Sequence, residues 1–375
     1  MTGMDEVESV VIGAGVVGLA AARALGLEGR EVVIVEAGAT IGGETSSRNN
    51  EVIHAGFLYP YGTLKSRLCR VGRDALYAYC AARGIAHRTV GKLVIATDET
   101  ESTVLDALAA SAWENGVADV EPLDGTAAGR MEPALRCKAA LYSPSTGIID
   151  VHQLMLSLLG DAQAAGAALA LHARVVAART HRGRIVLRIG TDEGSGYEIA
   201  CRRLVNAAGL GANAIARMLH HGALAIPPLY GAKGNFFALR GSAPFRRLIV
   251  PVAKTLEQGG AFTLDLSGRG KFGPDVEWVE RIDYAVDPRR APFFVAAIRR
   301  YYPDIVPEAL SPDYAGIRPR NQGEGAPPTD WLILGPNEHS VPGVVHLLGI
   351  DTPGLTSCLA LGDHVARLLW QDEKG

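Results

Sequence analysis

The stretch Val7-Glu8-Ser9-Val10-Val11-Ile12-Gly13-Ala14-Gly15-Val16-Val17-Gly18 decides the fold. Val7 to Ile12 is apolar except for Glu8 and Ser9, which predicts a buried parallel strand, and Val16 to Leu27 predicts the helix that follows it. Gly13 permits a tight turn, Gly15 lets backbone approach a pyrophosphate, and Gly18 lets helix and strand pack closely. The N–H groups that open the helix, from Val16 and Val17, favour negative charge there. Glu36 ends a second predicted strand, Glu31 to Val35, with Ala37 next. A carboxylate in that place accepts hydrogen bonds from a ribose diol and repels a 2′-phosphate, which argues against NADP. The competing reading is a surface acid at a strand end. Strand, turn, helix and acid together indicate a dinucleotide.

Beyond Glu36 the chain is polar and glycine-rich through Gly43, then enters Thr45-Ser46-Ser47-Arg48-Asn49-Asn50-Glu51-Val52-Ile53-His54. Gly62 to Arg83 carries apolar residues at three and four residue intervals and predicts a helix stopped by Gly84. Leu93 to Thr97 predicts a strand. Asp98 with Glu101, and Asp150 with Gln153, are spaced as capping boxes for two further helices. Ala170 to Ala177, Ile185 to Ile189 and Leu204 to Ala207 predict strands, the last leading through Ala208 and Gly209 to a helix from Ala212 to Leu219. Residues 220 to 320 mix short strands, such as Asn235 to Leu239 and Gly260 to Leu266, with a helix from Pro292 to Tyr301. Leu332 to Leu334 and Val344 to Leu348 are predicted strands, and a final helix is expected from Leu355 to Trp370.

These elements describe an α/β plus α+β chain. A Rossmann-like domain is assembled from residues 1–85, 148–219 and 330–375, and a substrate domain with a mixed or antiparallel sheet, 86–147 and 220–329, is inserted between them. At 375 residues two joined domains are the natural expectation. A net charge of −3 gives no electrostatic reason to expect nucleic acid. Five scattered cysteines without a C-x-x-C pair read as reduced thiols in a cytoplasmic protein, without zinc or a disulfide frame. Met1 to Ser9 has three acids and no apolar core, so a signal peptide is not expected, and no apolar run is long enough to span a bilayer. Peripheral association with a membrane, at the inner face, is compatible with this composition.

A nucleotide fold closed by the last forty residues is a feature of flavin enzymes of the glutathione-reductase type. The string Ser47-Arg48-Asn49-Asn50-Glu51-Val52-Ile53-His54-Ala55-Gly56 resembles a segment of L-2-hydroxyglutarate dehydrogenases, an FAD family within the D-amino-acid and glycine oxidase group. Tyr77-x-Tyr79-Cys80, Gly91-Lys92-Leu93, Thr263-Leu264-Asp265-Leu266, Phe272 to Trp278, Gly316-Ile317-Arg318-Pro319 and Gly349 to Ser357 continue the likeness nearly end to end. Asn50, and Phe57-Leu58, depart from the family pattern and bear on the shape of the substrate pocket.

The resemblance implies FAD and oxidation of a 2-hydroxy acid, L-2-hydroxyglutarate or a close relative, to the 2-oxo acid. An amine oxidase of the glycine, sarcosine or D-amino-acid type is the alternative, and a noncatalytic FAD-binding subunit of an assembly is the alternative from another class. The electron acceptor, whether a quinone, oxygen or a protein, is left open. His54 is the candidate base, because an imidazole suits proton abstraction near neutral pH; the competing reading is a histidine that only orients its neighbours. Arg318 matches the place where glycine oxidase relatives carry the arginine that binds the substrate carboxylate, and a guanidinium fork fits a carboxylate through two bonds; the competing reading is a structural salt bridge. Lys233 and Asn235 are candidates for a second substrate anchor, with strand-edge charge as the rival role for Lys233.

Arg48 is expected to balance pyrophosphate charge, with Thr45, Ser46, Ser47 and Asn49 bonding phosphate or ring edge. Val175 is where relatives bond adenine through backbone, and Ala207 and Gly209 form the second glycine turn of the nucleotide domain. Gly349, Asp351, Pro353, Gly354, Leu355 and Thr356 form the closing turn. Gly354 and Leu355 are expected to open a helix whose N–H groups face the flavin, with Asp351 turned away or capping it. No cysteine lies between Arg202 and Ser357, so noncovalent FAD is expected. Histidines 152, 220, 221, 339 and 346 show no metal-ligand spacing, and no metal is expected.

Overall fold

The computed structural model describes residues 5–190, 196–222, 224–252 and 259–371; Met1 to Met4 of the amino-terminal segment discussed above lie outside them. The chain divides into two units, residues 1–47, 151–230 and 318–375 in the first and residues 48–150 and 231–317 in the second.

The first unit is built on an eight-stranded sheet. Its centre is parallel: Ala168–Ala170, Val32–Val35, Asp5–Ile12 and Gly196–Asn206 lie side by side, and Val344–Leu348 joins the carboxyl half of Gly196–Asn206. Val10, Val11, Ile34 and Val205 are fully buried, as a parallel sheet covered on both faces requires. The helix Val16–Leu27 has the predicted bounds. It packs against the helices Val151–Ala164 and Cys358–Gln371, while Ala212–His220 packs against the strands Arg174–His181 and Val344–Leu348. Gly362 allows the closest of these approaches, since a Cβ there would lie 2.6 Å from the Ala20 carbonyl oxygen.

The second unit holds a nine-stranded mixed sheet and a small three-stranded one. In the large sheet Leu248–Pro251 runs parallel to Lys92–Ala96, and most other pairs are antiparallel. Its core is aromatic, with Phe237, Phe245, Phe262, Phe272, Phe294 and Tyr301 all below 2% exposed.

Three expectations need correction. Residues 48–85 belong to the second unit, because Val52–Ile53 pairs with Gly147–Ile149, which also pairs with His87–Thr89. Tyr77 Oη also donates to the Ser145 carbonyl, tying the helix Leu64–Arg83 to the same unit. Residues 148–150 go with the second unit for the same reason, and 220–230 and 318–329 go with the first. The strand expected over Ala170 to Ala177 is two, Ala168–Ala170 and Arg174–His181, separated where the chain leaves one side of the sheet for the other. The final helix starts at Cys358, three residues later than expected, because residues 352–357 form turns closed by Ser357 N–H to the Pro353 carbonyl.

Candidate active site

In the first unit the nucleotide turn is shaped by what its glycines leave out. Gly13 has φ +99°, and a Cβ on it would sit 2.6 Å from the Ala207 carbonyl oxygen; a Cβ on Gly18 would sit 2.0 Å from the Gly13 oxygen. Both contacts are with backbone, so neither can be relieved by moving a side chain. Gly15 faces Ser46, whose Oγ accepts the Val16 N–H at 3.0 Å, so Ser46 caps the opening of the helix from outside it. Glu36 accepts from the N–H of Ala14 at 2.8 Å and of Gly38 at 2.7 Å, which fixes its carboxylate at the strand end beside Ala37. Two bonds leave a carboxylate acceptor capacity for a diol.

Thr45–Ser47 is a short 3-10 turn, and Ser47 Oγ donates to the Glu44 carbonyl at 3.4 Å. Val175 is buried and pairs with Ile189 in the sheet, and Gly209 has φ +52°. Around the closing turn, Gly349 has φ +70°, and Pro353, Gly354, Thr356 and Ser357 are buried with Leu355 half-buried. Asp351 is also buried. Its Oδ2 meets Arg320 Nη2 at 3.3 Å and its Oδ1 accepts from Trp331 Nε1 at 3.3 Å, so its charge is paired. The Asp351 carbonyl accepts the Gly354 N–H at 2.7 Å. Gly354 and Leu355 therefore belong to a turn ahead of the helix, which corrects the expectation that they open it. Arg318 is half-buried on the strand Leu310–Arg320.

FAD fits this frame. The glycines clear backbone for a pyrophosphate, Glu36 is set for a ribose, and Ser357 Oγ is a buried hydroxyl without a hydrogen-bond partner among the described residues.

In the second unit the segment from Arg48 to Gly56 is held by side chains from distant parts of the chain. A Cβ on Gly316 would lie 1.9 Å from the Arg48 carbonyl oxygen, so the strand carrying Gly316 touches this segment backbone to backbone. The Arg48 guanidinium stacks on Tyr284 with its carbon 4.0 Å from the ring centroid, and its buried Nε has no hydrogen-bond partner among the described residues. Asn49 accepts the Glu51 N–H at its Oδ1, 2.7 Å away, and the Tyr314 hydroxyl at its carbonyl, 2.6 Å away. Lys271 donates to the same hydroxyl at 2.9 Å and lies 3.7 Å from the Glu51 carboxylate. Burial pushes the Glu51 carboxyl up and the Lys271 ammonium down from their ordinary values.

His54 follows the short strand Val52–Ile53. Its carbonyl oxygen faces the Cys69 thiol at 3.6 Å, and its ring meets Tyr59 edge-on with centroids 6.3 Å apart. The ring keeps partial exposure but Nδ1 is buried. Burial, together with the positive charge of Lys92, lowers its pKa to about 3. At neutral pH His54 is therefore an uncharged imidazole, able to take a proton.

Lys233 and Asn235 have other engagements. Lys233 is buried, donates to the Ala285 carbonyl at 2.6 Å and lies between Glu277 at 3.9 Å and Asp283 at 3.8 Å. Asn235 bonds Asp275 through its N–H at 2.7 Å and Glu277 through its amide at 3.0 Å. These partners make both residues parts of a charge network with Arg290. The Lys271–Tyr314–Asn49–Glu51 cluster had no single-sequence signal, since its members lie on three separate segments; only the adjacent Phe272 to Trp278 string drew attention to that region.

The structure also gathers His220, His339 and His346, whose ligand atoms lie within 4.8 Å of one another. Asn206 Nδ2 donates to the Ala212 carbonyl at 2.8 Å and faces His346 Nδ1 at 3.0 Å, so that nitrogen is the acceptor. The proton of neutral His346 then sits on Nε2 and bonds His220 Nε2 at 3.0 Å. His339 Nδ1 likewise accepts the Val341 N–H at 3.1 Å. Metal-bound histidines carry a donor, not an acceptor, on the second nitrogen. The arrangement favours a hydrogen-bonded cluster over a metal centre.

Among the described residues no helix is long and apolar enough to cross a membrane, and the five cysteines are free. The chain is 41% identical over 403 aligned positions to the mitochondrial L-2-hydroxyglutarate dehydrogenase of Arabidopsis thaliana, covering 96% of this chain and 83% of that one. It is 27% identical to the glycerol 3-phosphate dehydrogenase of Caloramator mitchellensis, covering 96% and 73%. Its fold matches L-α-glycerophosphate oxidase from Mycoplasma pneumoniae, solved with FAD bound, at a TM-score of 0.87 and 20% identity over 98% of this chain and 95% of that one. The model of the DAO family, FAD dependent oxidoreductases, matches residues 8–368. A glycine cradle for a pyrophosphate, a fold closed by the carboxyl-terminal turn and a family match over almost the whole length agree: this chain is an FAD-dependent oxidoreductase of the DAO family.

Proposed function

We propose that the enzyme oxidises L-2-hydroxyglutarate, or a close 2-hydroxy acid, to the 2-oxo acid. The observation that carries this reading is the 41% identity to an L-2-hydroxyglutarate dehydrogenase over 96% of this chain. Bound noncovalently, FAD supplies the acceptor for the hydride that leaves the α-carbon. Gly13, Gly15, Gly18, Glu36 and Ser46 hold its nucleotide half, and Arg48 balances its charge. Arg318 takes the α-carboxylate in its guanidinium fork and so fixes which face of the α-carbon is presented.

His54 accepts the hydroxyl proton. Its low pKa guarantees the acceptor form, and an anionic substrate beside the ring favours the imidazolium, so basicity rises when substrate is in place. Free thiols support a cytoplasmic location, and the acceptor that reoxidises the enzyme is oxygen, a quinone or a protein.

The test is anaerobic mixing of the holoenzyme with L- and D-2-hydroxyglutarate, glycerol 3-phosphate, glycine and sarcosine, following the visible flavin absorption. Bleaching by L-2-hydroxyglutarate ahead of the others is the expected result. Bleaching by glycine or sarcosine instead would make this an amine oxidase, and no bleaching by any of them would support a noncatalytic flavoprotein.

A further inference from the structure

A 2-hydroxy diacid brings two carboxylates, and one arginine fork satisfies only the first. Among the described residues the second unit buries three lysines. Lys233 is tied to Ala285, Glu277 and Asp283, and Lys271 to Tyr314 and Glu51. Lys92 differs from both. Its side chain is 2% exposed, and among the described residues its ammonium has neither a carboxylate nor a hydrogen-bond acceptor as a partner. It rests over the Phe57 ring, 5.1 Å from the centroid.

The backbone that carries it is fixed. Lys92 opens the strand Lys92–Ala96, paired with Leu248 on one side and Ser143 on the other. Gly91 before it has φ +74°, and a Cβ there would lie 2.8 Å from the Tyr142 ring, so only glycine lets the strand start at this point. Ile53 and Thr89 both pair with Gly147, and the Gly91 N–H bonds the Thr146 carbonyl, so the strands that lead to His54 and to Lys92 flank one segment; the charge of the ammonium adds to burial in lowering the His54 pKa. Ala55 and Phe57, both fully buried, belong to an apolar cluster with Val94 and Leu141, so the ammonium lies against low-dielectric surroundings.

A buried ammonium without a counter-charge is costly, and it is retained where a ligand supplies that charge. We propose that Lys92 binds the remote carboxylate of the substrate and sets the preference for a 2-hydroxy diacid over a monoacid. This rests on the functional reading above, since it names the end of the substrate remote from the hydroxyl that His54 deprotonates.

The experiment compares wild type, Lys92→Met and Lys92→Arg with L-2-hydroxyglutarate and with L-2-hydroxyvalerate, which keeps the carbon chain and replaces the remote carboxylate by methyl. Loss of a charge-assisted bond predicts a fall of about 30- to 100-fold in the ratio of kcat/KM for diacid over monoacid in Lys92→Met. Lys92→Arg is expected to recover part of it. Flavin content should be kept, and the melting temperature of Lys92→Met should equal or exceed that of wild type, because methionine removes the unpaired charge. Equal losses on both acids, an unchanged ratio, or loss of flavin with a lowered melting temperature would each overturn the assignment. A wild-type enzyme that L-2-hydroxyglutarate does not reduce would overturn the functional reading instead; reduction of wild type with an unchanged Lys92→Met ratio counts against Lys92 alone.

Discussion

The glycine turn of the first unit and the Arg48 to Gly56 segment of the second use different materials. At the turn, backbone does the work: Gly13 and Gly18 matter because a Cβ would strike main-chain oxygen, and their neighbours could change without altering that. In the Arg48 to Gly56 segment, side chains do it. Asn49, Glu51 and His54 take their properties from Tyr314, Lys271, Cys69 and Lys92, residues from elsewhere in the chain. A site written in backbone has a short local signature, whereas a site written in charge is defined by neighbours that sequence order does not reveal.

The largest effect should come from breaking the turn. Gly18→Val forces a side chain onto the Gly13 carbonyl, and the purified protein should contain no FAD, measured by the visible absorbance per chain. Retention of stoichiometric flavin would mean the turn tolerates a rebuilt backbone and would erase the contrast. Next in size is His54→Ala, which should keep its flavin but lose about 10²- to 10⁴-fold in the rate of flavin reduction, the range of general base catalysis. The same contrast predicts the pH profile. With the free-enzyme pKa near 3, kcat/KM should show no His54 limb near 6.5 and stay level as pH falls toward 5. An acid limb centred near 6.5 would show that His54 is not held neutral by its surroundings.

The smallest effect concerns stability. His346 is pushed to about 3, first by burial and then by the charges of His220 and His339. Its folded pKa lies below the unfolded value near 6.5, so the unfolded chain binds more protons between those limits. The contribution is complete above about pH 6.5 and is lost as pH falls toward 3. His346→Gln should therefore lose less melting temperature than wild type on going from pH 7 to pH 5, although its value at pH 7 is lower. A steeper loss in the variant would contradict the neutral hydrogen-bonded cluster.

Legibility in the sequence follows the same division. The bounds of Val16–Leu27, Leu332–Leu334 and Val344–Leu348 were readable because apolar runs and glycines mark them locally. The late start of the last helix was not, since Leu355 to Cys358 reads as helical until the turn at Pro353 and Gly354 is seen. For Lys233 the sequence leaves a substrate anchor and a strand-edge charge both open, because Ala285 and Asp283 lie some fifty residues away. Lys92 stands in the Gly91-Lys92-Leu93 string, and nothing near it in sequence marks its burial.

The contact between Gly316 and the Arg48 carbonyl also bears on how the molecule is made. The segment that carries His54 is translated some 268 residues before the strand that covers it. At 5–20 residues per second that interval is about 13–54 s. Through that time the Arg48 to Gly56 segment lacks the strand that shelters it, so the nascent chain depends on being kept from aggregation.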